Sequence, residues 1–158
     1  MIASLGMYDF GAAQAANDRL WALIRDDLRK RGIAAPEALT RGADAYWPAW
    51  ASPQLLLSQT CGYPFRARLR DQVTLVGTPD YGLPGAPPGH YYSVLVARKD
   101  DPRVDLAAFD GARLAYNEDL SQSGWAAPQT HLAGLGLTLR PHLRTGGHQR
   151  SAGAVADG

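Results

Sequence analysis

Cysteine is nearly absent. Cys61 stands alone among 158 residues, so no intrachain disulfide and no cysteine-built zinc site can form. An excess of one charge is missing as well. Lys and Arg number 16 against 15 Asp and Glu, a formal net charge of +1, and that gives no long-range field to gather nucleic acid or an anionic membrane. No apolar run approaches the roughly 20 residues that span a bilayer. The opening "MIASLGMYDF" has no basic start, long apolar core or small-residue cleavage site, so no secretion signal is read there. What is present is an ordinary globular balance, 46% hydrophobic and 20% charged, which excludes a disordered chain. The length suits one ordinary domain or two small lobes.

Short apolar runs alternate with helical patterns along the chain, the signature of an α/β fold. "IASL" at Ile2–Leu5 reads as a first buried strand. Leu20, Leu23, Ile24 and Leu28 then recur at helical spacing, with Gly32 as the stop. "LLLSQT" (Leu55–Thr60) and "VTLVGT" (Val73–Thr78) read as further strands, with a short helix over Tyr63–Asp71 between them. "GLPGAPPGH" (Gly82–His90) is too rich in Gly and Pro for regular structure and reads as a connector. It divides a first lobe, residues 1–88, from a second, 89–158. In the second lobe "YYSVLVAR" (Tyr91–Arg98) reads as a strong strand and "DLAAFDGA" as a short helix. "RLAYN" (Arg113–Asn117) is another strand, a helix runs from Ser121 to about Gly134, "LTLRPHL" is a last strand, and His148 to Ala156 is helical.

The chemistry-bearing residues collect where apolar strands turn into helices. In "NEDLSQSGW" (Asn117–Trp125) two hydroxyls and a glycine stand at a helix start. A helix N-terminus presents unsatisfied N–H groups and about half a positive charge. Ser121 and Ser123 add hydroxyl donors there, and Gly124 lets an oxyanion approach the backbone. A plain Ser N-cap explains the same residues. "TGGHQ" (Thr145–Gln149) repeats the pattern with His148 at a helix start, against the alternative of a surface histidine on a loop. "TCGYPF" (Thr60–Phe65) places Thr60 and Gly62 at the carboxyl end of a strand, where open α/β sheets bind ligands. Cys61 reads as a reactive thiol at a helix start or, more simply, as a small buried side chain. Tyr8 closes the first strand at the same edge, and of Tyr91 and Tyr92 one is expected to face the cleft. A hydrolase pairing of Ser121 or Ser123 with His148 is the enzymatic alternative, but the segment lacks the G-x-S-x-G of a nucleophile elbow.

Taken in order, "MYD", "LLLSQTCGYPF", "VGTPDYG", "GHYYSVLVARKDD", "LAAFDGARLAYNEDLSQSGW" and "TGGHQRSAGAVADG" resemble the phosphate/phosphite/phosphonate substrate-binding proteins of ABC transporters. The resemblance implies a two-lobed type II periplasmic-binding-protein-like fold and capture of a small oxyanion between lobes. It calls for no catalysis, no cofactor and no metal. It implies an ABC-transporter permease as partner and leaves the oligomeric state open. Residue by residue, the serine-rich turn of that family is matched by Ser121, Gln122, Ser123 and Gly124. The histidine after a glycine turn is matched by His148, and the tyrosine opening the crossing strand by Tyr91 or Tyr92, with Tyr92 favoured. Tyr8, Thr60 and Gly62 occupy first-lobe positions that would close over the ligand. Such proteins are usually periplasmic, whereas no leader is read here, which leaves a cytoplasmic small-molecule sensor of the same fold as the alternative. The family continues beyond the point where this chain ends in "VADG", so the fold is expected to be incomplete at its C-terminal end.

Overall fold

The computed structural model describes residues 1–158. The chain gathers into two compact units. The first comprises Met1–Thr60 with Arg68–Val73, and the second Cys61–Ala67 with Thr74–Gly158.

In the first unit a parallel pair, β1 (Ile2–Ser4) and β2 (Leu55–Ser58), is covered by the helix α1 (Ala13–Lys30). Trp21, Ile24 and Leu28, spaced three and four apart, form the stripe of α1 that meets Ala3, Ala35 and Leu39, with Leu5, Leu56 and Leu57 packed alongside. Leu20 and Leu23, expected on the buried face, lie off this stripe, and Leu23 is 72% exposed. Trp21 sets the orientation because its larger surface gains more from burial. Helix α1 ends as expected at Gly32, whose φ of +76° is left-handed, and the Ile33 N–H reaches back to the Leu28 carbonyl at 2.9 Å.

One buried polar side chain of this unit, Ser4, is fully satisfied. Ser4, fully buried in β1, donates to the Ala45 carbonyl at 3.0 Å and meets the Ser58 hydroxyl at 2.6 Å. Ser58 in turn accepts from Trp50 Nε1 at 3.0 Å, which anchors the short helix α2 (Trp47–Trp50) over the pair. Beyond β1 a single 3-10 turn, Gly6–Tyr8, leads to Asp9. Asp9 is held by Arg41 Nε at 2.7 Å and Asn17 Nδ2 at 3.0 Å. Burial alone would raise its carboxyl, but those hydrogen bonds outweigh it and hold the group below its ordinary 3.8.

The second unit opens with the short helix α3 (Gly62–Pro64), continued by a wide π-helical turn over Phe65–Leu69 whose last residues pass back to the first unit. Its core is a β-α-β-α run. The strand β3 (Ala112–Tyr116) leads through a π-helical turn, Gln122–Ala126, into α4 (Ala127–Gly134). Then β4 (Leu139–Arg144) pairs in parallel with β3 and leads into α5 (His148–Asp157). Gly111, at φ +67°, makes the tight entry to β3, where its N–H reaches the Thr138 carbonyl at 2.8 Å. The two strands run the same way, so both of their helices start at the same edge.

Two expected strands are not formed. Val73–Thr78 and Tyr91–Arg98 are irregular, with Val76 83% and Val94 72% exposed. Apolar β-branched runs state what a strand would bury, but a strand exists only where a neighbour accepts its backbone hydrogen bonds. Both sheets are two-stranded, and neither takes these segments into its ladder. The other expected elements are present, and together they make a mixed helix–strand α/β chain. The Gly82–His90 stretch is coil, as its composition demands, and lies within the second unit.

Candidate functional site

The carboxyl ends of β3 and β4 are tied together by their own loops. The Thr145 N–H donates to the Tyr116 carbonyl at 2.8 Å and the Gly146 N–H to the Asn117 carbonyl at 2.9 Å. Two helix starts, at Gln122 and at His148, are thereby brought side by side at the edge where open α/β sheets take ligands. The Thr145 hydroxyl braces the second turn, meeting the Ser151 hydroxyl at 2.7 Å and the Gly147 carbonyl at 3.0 Å. Gly146 is left-handed, at φ +76°. The left-handed backbone is what calls for glycine there, since the only atoms near a Cβ at that position belong to the movable Arg150 guanidinium.

Within the first turn each group has a different use. Ser121, 1% exposed, is the N-cap: its oxygen accepts from the Gly124 N–H at 3.0 Å. The Gln122 side chain accepts from Arg66 Nη2 at 3.0 Å, and its backbone N–H faces the Cys61 sulfur. Ser123 is the open member. Its N–H has no backbone acceptor, and its hydroxyl stands 3.3 Å from His148 Nε2. Gly124 lies beneath that pair, and a Cβ on it would be 3.2 Å from His148 Cε1. Trp125, beside the turn, stacks at a tilt on Tyr116 with ring centroids 4.7 Å apart.

Two further side chains complete the cluster. Asn117, the residue after β3, turns its Oδ1 toward Gly124, buried and without a hydrogen-bond partner. Sequence reasoning gave it no role, and its position at a strand's carboxyl end is the only signal that would have raised it. Tyr91 is the tyrosine that interacts with Ser123. Burial pushes its phenol above the ordinary 10, and the nearby Cys61 adds to this, while the Ser123 hydrogen bond works the other way. Tyr92 is 58% exposed. Gly62 sits beside Arg66 and Gln122. Tyr8 and Thr60 belong to the first unit, where the Thr60 hydroxyl is buried without a partner. Burial also raises the Cys61 thiol above 9.0, so it is protonated at neutral pH and not a thiolate nucleophile.

The cluster is polar but almost uncharged. Ser123 and His148 meet as a hydrolytic pair would, yet no carboxylate or carbonyl bonds the other ring nitrogen to orient it. His148 is exposed as a residue, but its ring edges a cavity, and desolvation lowers its pKa below the ordinary 6.5. The neutral ring therefore dominates at pH 7. The folded chain binds this proton less readily than the unfolded chain, so the associated stability is present above pH 6.5 and is lost as pH falls through the lowered value. We expect the thermal midpoint of the anion-free protein to drop between pH 7.5 and 5.5, and His148→Gln to flatten part of that drop. A midpoint that His148→Gln leaves equally pH-dependent would remove His148 as its source.

A family model described as ABC transporter, phosphonate, periplasmic substrate-binding protein matches residues 52–158. The match covers more than half of the chain, which therefore belongs to that family. No curated protein and no solved structure matches it. Membership gives the chain a solute-binding role with a small-molecule ligand in the context of ABC transport, and the family is not a family of enzymes. No helix is long and apolar enough to cross a membrane.

Proposed function

We propose that the second unit holds a small oxyanion of the phosphonate, phosphite or phosphate class at the turn joining Ser123 to His148, for delivery to an ABC-transporter permease. The observation that carries this reading is the pairing of Ser123 with His148 at 3.3 Å, where two helix starts meet above a glycine. Ser123 offers its hydroxyl and its free N–H, the first turn of α5 offers further N–H groups, His148 offers a ring N–H and Tyr91 its phenolic O–H. Neutral dipoles of this kind recognise an anion without a counter-charge, and each charge-assisted bond is worth roughly 1.5–3 kcal/mol. Ser121, Thr145 and Gly146 hold the turns in shape. The fold on this reading is that of the type II periplasmic binding proteins.

A thermal-shift panel of phosphate, phosphite, sulfate and methylphosphonate tests the proposal. Saturation at 100 times Kd raises stability by about 2.7 kcal/mol, a shift that is easily read. Ser123→Ala is expected to weaken the responsive anion by about 1–3 kcal/mol. A folded protein indifferent to every anion sinks the reading, and an unchanged affinity in Ser123→Ala removes that side chain from the site.

A further inference from the structure

The polar turn is one end of a longer space. A cavity of about 540 Å³ begins at Asn117, Ser123, Gly124 and His148 and continues within the second unit along β3. Beyond the turn it is lined by Leu114 of β3, by Ala152 and Val155 of α5, and by Leu106 and Phe109, with Arg113 beside them and the Arg103 guanidinium over the Phe109 ring at 4.1 Å. Val94, Leu95 and Val96, the apolar run that found no strand partner, line it as well. A tetrahedral oxyanion displaces roughly two or three waters, at about 30 Å³ each. The cavity is several times larger, and past the first turn of α5 its lining is mainly apolar. From His148 to Val155 the helix rises roughly 10 Å at 1.5 Å per residue, the length of a medium-chain alkyl group.

We propose that the ligand is an oxyanion bearing an apolar substituent, a phosphonate or phosphate monoester whose alkyl chain runs from the Ser123–His148 turn along β3 toward Phe109. This rests on the oxyanion reading of the turn and adds the substrate class. Inorganic phosphate would fill only the polar end and leave Val94, Val96 and Val155 facing water. An alkyl chain would cover those side chains. The gradient from donors to hydrocarbon along one cavity selects a molecule with the same gradient.

Calorimetric titration of the full chain with phosphate and with methyl-, butyl-, hexyl- and octylphosphonate tests this. Affinity is expected to rise by up to about fourfold for each methylene buried, the equivalent of about 0.8 kcal/mol, until the chain reaches Phe109. Ala152→Phe, which fills the apolar stretch, is expected to flatten the series and leave methylphosphonate binding unchanged. Phosphate and methylphosphonate that bind while longer chains gain nothing would overturn the apolar subsite and leave the turn's role intact. Octanol that binds as well as octylphosphonate would overturn the coupling of head and tail. Failure of every member to bind would overturn the oxyanion reading itself, and this inference with it.

Discussion

Replacing Gly124 with alanine is expected to cost about 1–3 kcal/mol of stability, the range for forcing a methyl into filled space, and to remove oxyanion binding at the Ser123–His148 turn. Gly124 has no left-handed φ, so its need for glycine is one of space and not of backbone conformation. A Cβ there would run into Asn117 Oδ1, with Asn117 Cγ at 3.0 Å and His148 Cε1 at 3.2 Å behind it. The amide oxygen has no partner to hold it, so it would yield first. That does not suffice, because Cγ and the imidazole are also close. The methyl must push Asn117 away from the turn or push His148 off Ser123, and either movement spoils the donors. The two positions should therefore couple. Asn117→Ala vacates the space and is expected to restore most of the stability lost in Gly124→Ala, a non-additivity of about 0.5–3 kcal/mol. Urea denaturation of the two single variants and the double variant measures it. Strict additivity would mean that Asn117 does not confine Gly124, and a Gly124→Ala protein with native anion affinity would mean that the ligand does not use this turn.

The turn itself was readable because glycine and serine at a strand-to-helix junction are constrained choices. "SQSG" and "TGGH" each announce a helix start, and the parallel pairing of β3 with β4 places both starts on one edge. Which hydroxyl caps and which stays open was not readable. Ser121 and Ser123 are the same residue type two positions apart, and only the backbone path decides that Ser121 receives the Gly124 N–H. That one of Tyr91 and Tyr92 faces the cleft rested on strand alternation, which sends neighbours to opposite faces, and Tyr92 was favoured under the family resemblance. The segment is not a strand, so parity gives no guide, and it is Tyr91 that interacts with Ser123. Asn117 was silent for a related reason: its importance lies in one atom abutting a glycine seven positions on. In the first unit the helical period of α1 was plain, but its phase was not, since Leu20, Trp21, Leu23, Ile24 and Leu28 admit more than one apolar stripe. The stripe centred on Trp21 is the one that packs.

That stripe makes Trp21→Ala the change with the largest expected effect on stability. Trp21 is 2% exposed and meets β1 through Ala3, with Leu39 and Ala35 around it. Truncating a buried tryptophan costs about 3–5 kcal/mol. A unit of this size has a small core, and domain stabilities of about 5–15 kcal/mol leave little reserve. Loss of the α1 helical signal by circular dichroism at ambient temperature is the expected result. Trp21→Phe separates burial from polarity. It gives up part of the ring, but it also removes the indole N–H, which is buried without a partner. An unsatisfied buried donor costs about 1–3 kcal/mol, close to the packing lost on shrinking the ring. The phenylalanine variant is therefore expected within about 1 kcal/mol of the parent by urea denaturation, while the alanine variant unfolds. Equal damage from both would mean that the indole N–H is satisfied and that the full ring is needed. The helix would then be fixed to β1 by a hydrogen bond as well as by apolar contact. The Gly6–Tyr8 turn follows directly from β1, so the same packing sets where Tyr8 is presented.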